Sequence, residues 1–123
     1  MNRDFYGTSL NDVIVVGDPY NYDNWFLAGL DGDDFVIGGR IADKLWGGIG
    51  NDTLIGNLGA DYLSGERGND SLWGGEGSDT MYGGDDNDWL AGETDDDVMF
   101  GEDGSDSMYV CIFNERGRKE ANV

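Results

Sequence analysis

The chain has no histidine, a single cysteine (Cys111), a single proline (Pro19) and only seven basic residues among its 123. Each scarcity excludes something. One cysteine allows no intramolecular disulfide, although secreted domains this small are commonly stapled that way. With no histidine, and with Cys111 in an apolar stretch without a base in sequence, nucleophile–base catalysis of the Ser–His or Cys–His type has no partners. No apolar run approaches the ~18 residues a membrane-spanning helix needs. Met1 to Gly17 lacks the basic-then-apolar order of a cleavable export signal. Against the seven basic residues stand 26 acidic ones, a net charge of −19. That balance argues against nucleic acid, acidic polysaccharide or an anionic membrane as a partner.

What the chain holds instead is glycine and aspartate in strict period. From Gly29 to Tyr109 a nine-residue unit repeats nine times without a gap. Its first position is always glycine: Gly29, Gly38, Gly47, Gly56, Gly65, Gly74, Gly83, Gly92 and Gly101. Its sixth is always aspartate: Asp34, Asp43, Asp52, Asp61, Asp70, Asp79, Asp88, Asp97 and Asp106. Its eighth is always apolar: Val36, Leu45, Leu54, Leu63, Leu72, Met81, Leu90, Met99 and Met108. A fixed period of this kind sets the architecture before any local pattern does.

Positions one to six carry turn residues, Gly, Asp and Asn. Positions seven to nine, such as Thr53-Leu54-Ile55, are β-leaning and alternating, so the middle residue faces one side and its neighbours the other. One repeat is therefore expected to be a turn plus a three-residue strand. Two repeats bring the chain back over itself, and stacked coils make an all-β solenoid of two parallel sheets with the eighth-position side chains between them.

Stacking places the aspartate of one repeat about 5 Å from that of the next but one. Two carboxylates at that distance repel by roughly 3 kcal/mol at an effective dielectric of about 20. Cations between the turns would relieve this. Carboxylates interleaved with carbonyls in glycine-rich turns form an all-oxygen surround that suits Ca²⁺ better than the strict octahedron of Mg²⁺. Pairing repeats n and n+2 offers about seven such sites, and seven divalent ions would bring −19 to about −5. The twelve-residue spacing of an EF-hand is absent after Asp31-Gly32-Asp33-Asp34. A period of nine rather than three excludes collagen.

With these residues on view, the sequence resembles the RTX, or haemolysin-type, calcium-binding repeat, whose pattern is G-G-x-G-x-D-x-U-x. The resemblance covers Gly29 to Tyr109, and Gly7 to Val15 looks like one further copy. It implies a right-handed parallel β-roll with Ca²⁺ between turns on the same edge, held by the nine sixth-position aspartates and loop carbonyls. It also implies export from Gram-negative bacteria by type I secretion, with folding triggered by extracellular Ca²⁺. Three copies depart at position four, which is Ile41, Asp86 and Asp95 instead of glycine, and five at position two, which is Leu30, Asn57, Glu66, Glu93 and Glu102. If position four needs positive φ, a branched Ile41 is strained there, and the turn Arg40–Asp43 is expected to be open or to bind weakly.

Outside the repeats, residues 1–28 read as an N-terminal cap containing the degenerate copy and an insertion with Pro19, Tyr20, Tyr22, Trp25 and Phe26. Asp12 and Asp23 are further candidates for a metal site. Residues 110–123 read as a capping strand, Val110 to Phe113, followed by a basic tail with Arg116, Arg118 and Lys119. Positions seven and nine put aromatics on the outer faces, either stacking across strands or meeting a partner, another domain or a glycan. Nine residues are ordered for each core side chain, so apolar burial alone does not offset the entropy of ordering, and the metal-free chain is expected to be largely disordered. Two functions of different class follow. One is a calcium-dependent structural and folding module beside a catalytic or toxin domain. The other is an adhesion or glycan-binding module. Neither is an enzyme.

Overall fold

Position eight decides the architecture, because it is the only column apolar in every copy. In the computed structural model, which describes residues 3–16, 24–110, 112–113 and 119–120, that column becomes the core between two sheets. The first sheet runs β1 (Arg3–Tyr6), β3 (Trp25–Asp31), β5 (Lys44–Ile49), β7 (Tyr62–Arg67), β9 (Thr80–Asp85) and β11 (Val98–Asp103). The second runs β2 (Val13–Val15), β4 (Phe35–Ile37), β6 (Thr53–Leu58), β8 (Ser71–Glu76), β10 (Trp89–Thr94) and β12 (Ser107–Tyr109). Within these two sheets odd strands pair only with odd and even only with even, all parallel and each in register with the strand two further on. That alternation is a β-solenoid. No described helix is long and apolar enough to cross a membrane.

Val36, Leu45, Leu54, Leu63, Leu72, Met81 and Leu90 are fully buried, as the pattern requires, while Met99 and Met108 are partly buried at the far end. Residues ahead of the repeats join the same scheme: β1 pairs with β3 and β2 with β4, so Phe5 stands in register with Leu27 and Ile14 with Val36. Phe5 nonetheless remains 52% exposed, so among the described residues this end of the core is open. At the other end, β13 (Ile112–Phe113) and β14 (Lys119–Glu120) form a separate antiparallel pair rather than another rung. Pro19, Tyr20, Tyr22, Asp23, Cys111, Arg116 and Arg118 lie outside the described residues.

The strands are longer than the three residues expected. From β5 to β11 each has six, because positions one to three rejoin the ladder after positions seven to nine. Gly48 pairs with Glu66 and Ile49 with Arg67, for example. The true turn is thus positions four to six. The ladder survives because position two adopts positive φ, which bends the strand without ending it: Glu66 at 79°, Gly84 at 118° and Glu102 at 72° on one sheet. Non-glycine residues in that region each cost on the order of 1 kcal/mol, so the stacked neighbours must hold them there.

Outward side chains settle one sequence alternative in part. Tyr6, Phe26, Trp46, Tyr62, Tyr82 and Phe100 form an unbroken file on the first sheet, one ring per strand, with centroids 4.6 to 5.6 Å apart. On the second sheet Trp73, Trp89 and Tyr109 do the same. Such cross-strand aromatic pairs add about 0.5–1.5 kcal/mol each beyond area burial.

Candidate functional site

The turns at the two edges of the roll bring the sixth-position aspartates into two columns. One edge holds Asp12, Asp34, Asp52, Asp70, Asp88 and Asp106, and the other holds Asp43, Asp61, Asp79 and Asp97. Within each column every aspartate is bound to the next by its own backbone. Asp52 Oδ1 accepts the N–H of Asp34 at 2.7 Å, Asp70 Oδ1 that of Asp52 at 2.7 Å, and Asp88 Oδ1 that of Asp70 at 2.8 Å. On the other edge Asp61 Oδ1 accepts the N–H of Asp43 at 2.7 Å and Asp79 Oδ1 that of Asp61 at 2.8 Å. The aspartate carbonyls complete the stitch, accepting the seventh-position N–H one rung on, as Asp52 does from Ser71 at 2.8 Å. An eighteen-residue spacing of Asp is therefore the spacing of one full coil.

The second carboxylate oxygen has no such partner. Oδ2 of Asp34, Asp52, Asp61, Asp70, Asp79, Asp88 and Asp97 is buried without any hydrogen bond. A buried charged oxygen left this way costs several kcal/mol unless a proton or a cation meets it. Burial pushes the carboxyls upward accordingly: Asp61 and Asp70 to about 8, and Asp52, Asp79 and Asp88 to about 6. Asp34, Asp43 and Asp97 are also raised, again chiefly by desolvation, with neighbouring carboxylates adding to the shift at Asp34 and Asp97.

Each lone oxygen opens onto a space that a side chain would fill. A Cβ on Gly65 would strike Asp70 Oδ2 and come 2.6 Å from the carbonyl oxygen of Gly83 in the next turn. Gly47 stands in the same relation to Asp52 Oδ2 and Gly65 O, and Gly56 to Asp61 Oδ2 and Gly74 O. From Gly29 to Gly83 the first-position glycine is thus the floor of a cradle walled by a carboxylate oxygen and a carbonyl oxygen. At positions two and four the carbonyls of Leu30 and Gly32 point at Gly48 and Gly50 of the following turn. No three Asp, Glu, Cys or His side chains converge among the described residues, so a cation in these turns would draw most of its donors from the backbone. Carboxylate plus carbonyl oxygens, with no nitrogen or sulfur, is the donor set of a hard ion, and the residues fit Ca²⁺.

Three positions behave differently. Asp12 Oδ2 accepts the N–H of Thr8 at 2.5 Å and its hydroxyl at 2.9 Å. Asp43 Oδ1 accepts the N–H of Trp25 at 2.8 Å and its Oδ2 that of Gly39 at 2.5 Å. Asp106, in the last turn of its column, is half-buried and accepts the N–H of Asp88 at 2.9 Å. Sequence reasoning also missed a polar column, the fifth position, where Asn51, Asn69 and Asn87 bond turn to turn. The signal was present as asparagine alternating with Ala42, Ala60 and Ser78, a period of eighteen within the period of nine.

No curated protein and no solved structure shows a significant match to the chain. The family described as the RTX calcium-binding nonapeptide repeat (4 copies) matches at residues 28–63, 55–90 and 82–110, the whole run of aspartate-bearing turns and more than half of the sequence. On that match, and on turns built as a ladder of half-satisfied aspartates over glycine-floored cradles, the chain belongs to the RTX calcium-binding repeat family.

Proposed function

We propose that this chain is a structural and folding module that takes up its β-roll when Ca²⁺ enters the turns, and that it is not an enzyme. One observation carries the reading: seven buried carboxylate oxygens lack any partner, and those of Asp34, Asp52, Asp61, Asp70, Asp79 and Asp88 each lie beside a cradle lined by a backbone carbonyl. Asp34, Asp52, Asp70, Asp88 and Asp106 would hold ions on one edge and Asp61, Asp79 and Asp97 on the other, with carbonyls of the first-position glycines completing the surround. Bound Ca²⁺ supplies the positive charge that desolvated carboxylates need. The chain's own residues do the rest: the Oδ1 ladder fixes each carboxylate, the glycines keep the cradle clear, and the eighth-position column closes the core.

Calcium near the 10⁻⁴–10⁻³ M range that extracellular modules respond to would then decide when the chain folds. RTX repeats are typically found in secreted bacterial proteins, which supports an extracellular setting. Type I export, and a neighbouring protease, lipase, epimerase or toxin domain, are part of the proposal. In this division residues 1–28 open the roll, 29–109 carry the ions and 110–123 close it. The aromatic files serve as stiffening, since every ring leans on the next. Isothermal calorimetry with Ca²⁺ on the full chain, read beside its thermal unfolding, tests the reading. Several ions per chain and a large rise in Tm are expected. A chain that melts at one temperature with and without Ca²⁺, and evolves no binding heat, rejects it.

A further inference from the structure

The two edges share an aspartate column but not its surroundings. On the edge of Asp34, Asp52, Asp70, Asp88 and Asp106, a second ladder runs in the opposite sense. Asn51 donates its N–H to Asp33 Oδ1 at 2.8 Å, Asn69 to Asn51 Oδ1 at 2.9 Å, Asn87 to Asn69 Oδ1 at 2.9 Å and Ser105 to Asn87 Oδ1 at 2.8 Å. Once the turns stack, these bonds tie them together in addition to any cation between them. On the opposite edge the same position is Ala42, Ala60, Ser78 and Asp96, and the two alanines offer no side-chain acceptor at all.

The opposite edge is also interrupted. Every other fourth position from Gly32 to Gly104 has positive φ, whereas Ile41 does not, and neither does Gly39 at position two. The fourth-position carbonyl is turned accordingly. Gly50, Gly68 and Gly77 each face the carbonyl oxygen of the turn before, but Gly59 faces the carbonyl carbon of Ile41 and the nitrogen of Ala42. With that turn refolded, Gly39 N–H reaches Asp43 Oδ2, and both oxygens of Asp43 are satisfied by backbone. A carboxylate already holding two N–H donors, without a carbonyl turned to face it, has little left for a cation.

We infer that the calcium rows are inequivalent: the asparagine-stitched row costs less to order and fills first, while the opposite row fills last, begins at Asp61 and passes over Asp43. This rests on the reading that the turns bind Ca²⁺. The stitching matters because ordering a loop at the moment of binding subtracts from affinity, and the asparagine bonds offset part of that loss. The late row then sets the concentration at which the roll completes.

The test is calcium titration of the full chain by calorimetry, with bound metal counted after gel filtration. The parent should show two classes of ion. Asn51→Ala/Asn69→Ala/Asn87→Ala should weaken the tighter class by roughly tenfold and leave the weaker class in place. Should that variant fail to fold, Ala42→Asn/Ala60→Asn/Ser78→Asn carries the same test, and should tighten the weaker class by a similar factor. Asp43→Asn should bind as many ions as the parent and Asp61→Asn fewer, while Ile41→Gly should add one. A single class in a chain that binds calcium overturns this inference alone, as does an ion lost from Asp43→Asn, an unchanged count for Ile41→Gly, or equal weakening of both classes. A parent that binds no calcium overturns the proposed function itself.

Discussion

Replacing Asp61 and Asp70 with asparagine should change the stability of the roll in opposite directions with and without calcium. Without metal, each of these carboxyls is held near a pKa of about 8 by burial, against 3.8 in an open chain. At pH 7 the folded chain must keep them protonated, which costs on the order of 4 kcal/mol apiece. Asparagine removes that charge and keeps the Oδ1 acceptor that serves Asp43 and Asp52, at the cost of a buried NH₂ worth about 1–3 kcal/mol. The metal-free variant should therefore be more stable than the parent by roughly 1–3 kcal/mol per site. In millimolar calcium the same change takes a charged ligand from two turns, so the variant should fold less stably than the parent. The fraction folded in EGTA, read by circular dichroism, and urea unfolding in calcium, followed by Trp fluorescence, measure the two arms. If the substitutions move stability in the same direction under both conditions, or not at all, the carboxylates are not poised for a cation and the reasoning fails.

The same groups give a pH dependence. Asp52, Asp79 and Asp88 are raised to about 6 and Asp61 and Asp70 to about 8, all above the open-chain value of 3.8. Raised carboxyls contribute stability that is fully present below about pH 4 and is lost as pH rises through 6 to 8. Circular dichroism in EGTA should therefore show more β structure at pH 4.5 than at pH 8, and in calcium the order should reverse. Gly65→Ala drives a methyl against Asp70 Oδ2 and Gly83 O, so it should lower bound calcium, read by calorimetry, as well as Tm. Leu72→Ala, at a fully buried core position, should cost about 2–5 kcal/mol of the calcium-bound stability in chemical denaturation while leaving the ion count as it was.

Much of this was legible because a repeat multiplies weak signals. Leu54 alone says little, but nine apolar residues in one column fix which side of every strand faces in. The sixth-position aspartates were readable as stacked for the same reason, and Ile41 announced the irregular turn by its branched side chain. The extra strand residues were not readable, because Gly47-Gly48-Ile49 looks like turn chemistry until Ile49 is seen paired with Arg67. The division of labour between Oδ1 and Oδ2 is a matter of ångströms that no spacing records. Aromatic stacking on the outer faces was readable, but not its path, which zigzags from Trp46 at position nine to Tyr62 at position seven. Reading each column separately divides what the pleat brings together.

The central claim is that cations, not apolar burial, hold this chain in shape, and the most direct measurement is the far-ultraviolet circular dichroism of the full chain at neutral pH in EGTA, followed by calcium addition. A largely disordered spectrum that converts cooperatively to β structure in calcium is the predicted result. A β spectrum already complete in EGTA, and indifferent to calcium, would contradict it.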